Sequence, residues 1–190
     1  MNAENKKLPQ VDGLTSGEVI TRRNKQKSEI RIINETDITL VKPGMIWYED
    51  DTFSFDRIPT KKIKAIVELV KDGIIYGNMA ASDLCSIPTK NLMSWYDAGK
   101  YLDNCSYPCK TNEKIVWYNI AQLKEVYKKR KAVRKTFNML GKIYYDGDYW
   151  SSLVALDIVH FGVNFKNGVE FSTAQDVQKH VAVVLALNVI

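Results

Sequence analysis

Ile63-Lys64-Ala65-Ile66-Val67-Glu68-Leu69-Val70-Lys71-Asp72-Gly73-Ile74-Ile75-Tyr76-Gly77-Asn78-Met79-Ala80 carries the strongest structural signal in the chain. Its first eight residues alternate partly and are rich in β-branched side chains, which suit a pleated strand. Lys71-Asp72-Gly73 then supplies an Asp-Gly turn of the kind that closes a tight hairpin. The run from Ile74 to Ala80 returns as the partner strand. A hairpin in the first half of the chain makes this a sheet protein, and the remaining elements are placed around it.

On the N-terminal side, Met45-Ile46-Trp47-Tyr48 reads as a strand, Asp50-Asp51 as a turn and Thr52-Phe53-Ser54-Phe55 as a second short strand. Lys42-Pro43-Gly44 punctuates before them and sets a boundary. Residues 1–40 are polar and contain no aromatic residue. They carry short β-like runs at Gly17–Thr21 and Ile30–Ile33, separated by the charged run 22–27. Such a segment makes little core of its own. The expectation is a small β-containing extension or arm over 1–40, able to pair with a partner, and a domain over 41–190.

On the C-terminal side two helices are predicted. The first runs from about Ser94 to Asn104, with Ser94 as its cap and Asp97 completing a weak capping box. Trp95, Ala98, Tyr101 and Leu102 share one face. The second begins near Asn119 with Gln122 at the third helical position, and Gly141 stops it. Ile120, Leu123, Val126, Tyr127, Val133, Phe137 and Leu140 form its apolar stripe, with basic residues on the opposite side. The last 50 residues return to β structure. His160–Phe165 reads as a strand, Lys166-Asn167-Gly168 as an Asn-Gly turn and Val169–Phe171 as its return. The run HVAVVLAL, 180–187, reads as one buried central strand. Strands, two helices and strands again make an α+β fold. Trp47, Trp95, Trp150, Ile66, Leu123, Phe137, Phe165 and Leu185 are its expected core.

A chain of 190 residues is one domain, or one domain with an appendage. With 45% hydrophobic and 26% charged residues it is neither disordered throughout, nor collagen, nor a disulfide miniprotein. No apolar run has the length of about 18 residues that a membrane helix needs. The first seven residues are polar and no apolar segment follows, so no signal peptide is expected. Cys85, Cys105 and Cys109 are too few for a disulfide framework. Buried thiols are the reading preferred over a Cys105–Cys109 disulfide. A zinc site is disfavoured because no CxxC occurs and His160 and His180 are distant in sequence.

Net charge is +5 and uneven. Residues 110–142 hold ten Lys or Arg against Glu113 and Glu125, a local +8, which leaves −3 for the rest. A basic face over 124–135 offers a site for nucleic acid, acidic polysaccharide or a phospholipid surface, although it lacks aromatics for base stacking. A solvated helix face is the ordinary reading of such a run.

The order of five pieces carries a resemblance: GMIWYEDDTFS (44–54), IKAIVELVKDGIIYG (63–77), WYDAGKYL (95–102), VWYNIAQL (116–123) and the final YWSS (149–152), VNFKNG (163–168) and VAVVLAL (181–187). Together they resemble the Lcl C-terminal domain family over about residues 41–190. That resemblance implies a C-type-lectin-like fold with mixed antiparallel sheets and two helices, shared with the variable proteins of diversity-generating retroelements. In those proteins the surface between YWSS and the last strand binds receptors. The chain departs from the pattern at Leu153, at His160-Phe161, at Ala182-Val183 and at Trp117-Tyr118-Asn119. Without the family's Arg-Pro before the last strand, the rim of the implied binding face is altered.

The resemblance implies a non-enzymatic recognition module, with a cell-surface protein or glycan as partner. The implied site lies in 153–180 and comprises Asp157, His160, Phe161, Glu170, Ser172, Gln175, Asp176, Gln178 and His180, with Thr173 and Phe171 among them. Polar groups interleaved with aromatics, carried on loops, are the chemistry of adaptable recognition. Two histidines make binding pH-sensitive near about 6. No catalytic residue, metal or cofactor is expected. Trp150 reads as core and Ser151 and Ser152 as backbone-bonding serines, because no nucleophile elbow surrounds them. The calcium–sugar motifs of C-type lectins are absent, and Asp146-Gly147-Asp148 reads as a solvated turn. The wider fold also serves formylglycine-generating enzymes, whose chemistry needs a late cysteine pair; no cysteine follows Cys109. The alternatives are a binder of nucleic acid or acidic polysaccharide through 124–135, and a structural assembly protein that oligomerises or joins a fibre through residues 1–40.

Overall fold

The structure, a computed structural model, describes residues 29–31, 35–85, 92–155, 159–174 and 176–189. The hairpin is its centre. Strands β4 (Ile63–Lys71) and β5 (Ile74–Asn78) pair antiparallel with Lys71 opposite Ile74, so Asp72-Gly73 is a two-residue turn. Both turn residues have positive φ, 51° and 74°, as a type I′ turn requires.

Five further strands extend this hairpin into a seven-stranded antiparallel sheet. β2 (Ile46–Tyr48), β3 (Thr52–Ser54) and β1 (Glu29–Arg31) extend it on one side. β12 (Val184–Asn188) and β7 (Glu113–Val116) extend it on the other. The order is β1-β3-β2-β4-β5-β12-β7. β1 belongs to the segment expected to be a separate extension, and it forms the sheet's edge with Ile30 opposite Phe53. The expected β run at Gly17–Thr21 lies outside the described residues.

Both faces of this sheet are covered. Ile46, Tyr48, Ile66, Val184 and Ala186 face one core, while Trp47, Ala65, Val67, Leu185 and Leu187 face another. A strand buried on both sides needs no polar alternation, which explains the unbroken apolar run of β12. Over the first face lies α2 (Ile120–Met139), which buries Leu123, Val126, Val133 and Phe137. Each such burial contributes about 1.5–3 kcal/mol. Phe137→Ala would cost about 3–5 kcal/mol. Asn119 caps the helix, and its reciprocal bonds with Gln122 make a capping box. Gly141, at φ 66°, follows its end. α1 (Trp95–Asp103), capped by Ser94, packs Ala98 into the second core.

Five strands form a smaller sheet in the order β10-β9-β8-β11-β6. They are β8 (Asp148–Ala155), β9 (Val159–Asn164), β10 (Glu170–Ala174), β11 (Lys179–His180) and β6 (Leu92–Met93). All its pairs are antiparallel except β11 with β8, where His180 lies opposite Tyr149. The architecture is α+β with two helices and two mostly antiparallel sheets.

Four local expectations are corrected. HVAVVLAL is not one strand: the chain leaves the smaller sheet after His180 and enters the larger at Val184. The residues between them remain buried, so hydrophobicity alone could not reveal the crossing. The β9–β10 connection is longer than the expected Lys166-Asn167-Gly168 turn: residues 165–169 separate the two strands. Its ends are fixed by Asn164 N–H to Val169 O and Gly168 N–H to Asn164 O. Trp95, expected in the core, is half-buried because it packs over the smaller sheet rather than within a core. The three thiols are free, but none is fully buried as expected: Cys85 and Cys105 are half-buried and Cys109 is exposed.

Candidate functional site

The YWSS strand is a structural hub. Trp150 is fully buried and donates its indole N–H to Met93 O at 3.0 Å. Trp117 donates to Trp150 O and Trp95 to Ser151 O, at 3.1 and 2.8 Å. Ser151 Oγ donates to Phe161 O and accepts from Leu153 N–H. These bonds occupy the Ser151 hydroxyl and tie α1, β6 and the approach to α2 onto β8. A hydroxyl so engaged in backbone bonds is not an activated nucleophile.

His160 and His180 sit beneath the surface rather than in it. His160 is 2% exposed and stacked on Trp95, with centroids 4.3 Å apart and planes at 20°. Both its ring nitrogens are buried without a hydrogen-bond partner. His180 is 4% exposed and lies against Tyr145 and Tyr149. Alternation along β9 turns His160 and Gly162 inward and leaves Phe161 half-buried opposite Ser172. Gly162 is required there, because a Cβ would collide with Tyr149 O and the Phe171 ring.

The other described candidates gather in two open hollows on the smaller sheet. The first, of about 350 Å³, is lined by Glu170, Phe171, Ser172 and Thr173 from β10, together with Asp148, Asn164 and Lys179. Lys179 Nζ lies 2.6 Å from Asp148 Oδ2, and Asn164 Nδ2 donates to Asp148 Oδ1 at 2.6 Å. Asn164 Oδ1 also accepts the Lys166 and Asn167 N–H groups, so one side chain fixes the loop and the floor of the hollow. Lys179 Nζ stands 5.0 Å over the Phe171 ring, a cation–π contact. Glu170 pairs with Lys124 of α2 at 2.7 Å.

The second hollow, of about 570 Å³, is lined by Asp176 and Gln178 with Ser94, Tyr96 and Asp97 of the α1 N-terminus. Tyr96 is 58% exposed, and Leu92 and Val177 are exposed nearby in sequence and sheet. Ser94 Oγ donates to Asp97 Oδ2 and accepts Asp97 N–H, which holds this rim rigid. Asp157 and Gln175 lie outside the described residues. Sequence reading missed Asp148, Asn164, Lys179 and Tyr96. The Asp146-Gly147-Asp148 turn is not simply solvated: Asp146 pairs with Arg134 and Asp148 with Lys179. The parallel β11–β8 pair makes the second contact, and no local signal announces it.

Two further polar clusters lie elsewhere. Glu68 of β4 is buried, accepting Asn78 Nδ2 and Tyr118 OH, each at 3.0 Å. Burial raises its carboxyl to about 7 despite those donors. The cavity of about 20 Å³ beside Asn78 and Tyr144 has room for a water, not a ligand. Lys64, 0% exposed, is held by Glu113 at 2.7 Å and by Asp51, with its ammonium 4.8 Å over the Trp47 ring. Cys85 and Cys105 line a cleft with Tyr101 and Tyr107. Burial pushes the Cys85 thiol up, and partial desolvation together with the Glu113 charge pushes up that of the more exposed Cys109, which makes both weak nucleophiles near neutral pH.

Among the described residues, no group of three or more His, Cys, Asp or Glu is arranged to hold a metal ion. None of the helices there is long and apolar enough to cross a membrane. Compared with protein-family models and with curated proteins, the sequence gives no match to either.

Proposed function

We propose that this chain is a recognition module with a C-type-lectin-like fold, which binds a protein or glycan on a cell surface and does no chemistry. The observation that carries the reading is the pair of hollows on the smaller sheet. They hold Glu170 and Ser172 beside Phe171 in one hollow, and Asp176 and Gln178 beside Tyr96 in the other. Polar side chains beside aromatic platforms, on strands braced by fixed hydrogen bonds, are what adaptable recognition needs. The bracing by Asn164, Asp148 and Ser94 supports preorganisation, which lowers the entropy cost of binding.

A binding role is favoured over catalysis by the engagement of Ser151 with backbone groups and by the burial of both histidines in aromatic contacts. On this reading His160 and His180 support the surface from below, and ligand contact falls to the side chains of the hollows. The order of the five sequence pieces supports the family assignment and the relation to variable proteins of diversity-generating retroelements.

The experiment is a screen of the purified chain against glycan arrays and whole bacterial surfaces, with and without calcium. A selective partner whose binding is lost when residues lining the hollows are replaced supports the reading. Selective binding that survives those replacements moves the site elsewhere, and turnover of a substrate would replace the reading with an enzymatic one.

A further inference from the structure

We propose that the outer ridge of α2 is a second binding surface, which takes a linear acidic polysaccharide lying along Lys124, Lys128, Lys131 and Lys135. These positions step by four, three and four residues, which places their side chains in one row on a helix. All four are exposed, while Leu123, Val126, Val133 and Phe137 hold the opposite stripe in the core. The helix is therefore fixed with its lysines outward. At about 1.5 Å per residue the row is about 16 Å long, with a charge every ~5–6 Å.

Little opposes this charge. Lys124 pairs with Glu170 and Lys128 with Glu125, and in both pairs each partner is well exposed. Exposed pairs of that kind are weak, so a polyanion can exchange with them. Lys131 and Lys135 make no ion pair among the described residues. Lys129 and Lys142 are also exposed, with Lys129 about 100° or more around the helix from the row.

The geometry selects among polyanions. The row is convex and single-file, and it meets a chain whose charges repeat along one line. A DNA duplex presents phosphates on both sides of its grooves, and a helix in the major groove turns its outermost side chains toward base edges. Single-stranded nucleic acid needs aromatic platforms. Tyr127 is the aromatic nearest the row, and it is covered by Arg130 at 3.6 Å and by Phe165. A membrane surface would be met by apolar side chains among the lysines. Met139 and Ile143 are exposed, but both lie beyond Lys135.

The ridge shares no lining residue with either hollow, and it meets the first where Lys124 pairs with Glu170. The test uses the full chain with four fluorescent probes: a heparin-derived oligosaccharide, an oligouronate, duplex DNA of equal charge, and phosphatidylserine vesicles. At ~50 mM salt an acidic oligosaccharide binds, and its affinity falls with a log–log salt slope of about −3, as four neutralised charges imply. Lys131→Glu with Lys135→Glu weakens binding more than tenfold at an unchanged unfolding midpoint. Lys62→Glu, at an exposed lysine outside α2 and outside both hollows, leaves it intact. If the double variant does not fold, Lys131→Gln and Lys135→Gln singly each weaken binding several-fold. The proposal is overturned if neither oligosaccharide binds at low salt, if the lysine variants bind like the parent, or if DNA or vesicles bind as well as the oligosaccharides.

Discussion

Lys179 and Asp148, 31 residues apart in sequence, meet at 2.6 Å across the parallel pair of strands in the smaller sheet. Asp148 also accepts from Asn164, whose other side-chain atom fixes the β9–β10 loop. One carboxylate thus joins three segments and sets the floor of the first hollow. Asp148→Ala releases Lys179 and Asn164 together. The expected cost is about 1–3 kcal/mol, since hydrogen bonds to charged groups are the stronger kind. Urea denaturation measures it, and a loss below ~0.5 kcal/mol would show that the hollow stands without this carboxylate.

The buried Lys64–Glu113 pair behaves asymmetrically. Lys64→Met leaves the Glu113 carboxylate buried without its ammonium, at an expected cost of about 3–5 kcal/mol. Lys64→Met combined with Glu113→Leu costs less than the sum of the single changes. A double-mutant cycle by chemical denaturation reads the coupling; additive losses would mean that the two groups do not depend on each other.

Glu68 makes stability fall as pH rises. Its carboxyl is raised from 4.5 to about 7 in the folded state, chiefly by burial. Between those values the folded chain holds a proton that the unfolded chain has released, so the contribution is complete below about 4.5 and is lost through about 7. The loss is about 3 kcal/mol at most. Asp50 and Asp51, whose carboxyls are held low, lose their contribution only below 3.8, outside this window. Unfolding at pH 5 and pH 8 measures the slope, and Glu68→Gln flattens it. An unchanged slope in that variant would assign it to another group.

His160→Phe raises stability. It replaces a buried ring that has two unpartnered nitrogens with an apolar one of similar size, in a site already stacked on Trp95. The expected gain is about 1–2 kcal/mol. A loss instead would show that the imidazole has a polar partner in solution.

What was legible in the sequence was local. The Asp72-Gly73 turn, the Ser94 and Asn119 caps and the stop at Gly141 are each decided within a few residues, and all stand where the residues place them. What was not legible depends on distant partners. Lys64 and Glu68 are charged residues within a partly alternating run, and nothing local marks them as buried. Their burial depends on Glu113 and Tyr118, 49 and 50 residues away. The crossing at 181–183 is hidden because both sheets bury the same kind of side chain. The histidines were read as surface because they are polar. In β9 the alternation puts His160 inside and Phe161 half outside, since the inward position is lined by tryptophan rings that accept an imidazole. Of the candidate site, β10 and the 176–178 segment were legible from composition. Lys179, Asp148 and Asn164 were not, because strand pairing alone brings them together.

The most direct test of the recognition surface measures binding and stability together for Ser172→Trp and Gln178→Trp, one in each hollow. Both residues are exposed. Against the partner selected by the surface screen, the account predicts at least a tenfold loss of binding in one or both variants, with unfolding midpoints unchanged. Parent-like binding in both, or a loss of several kcal/mol in stability, would contradict it.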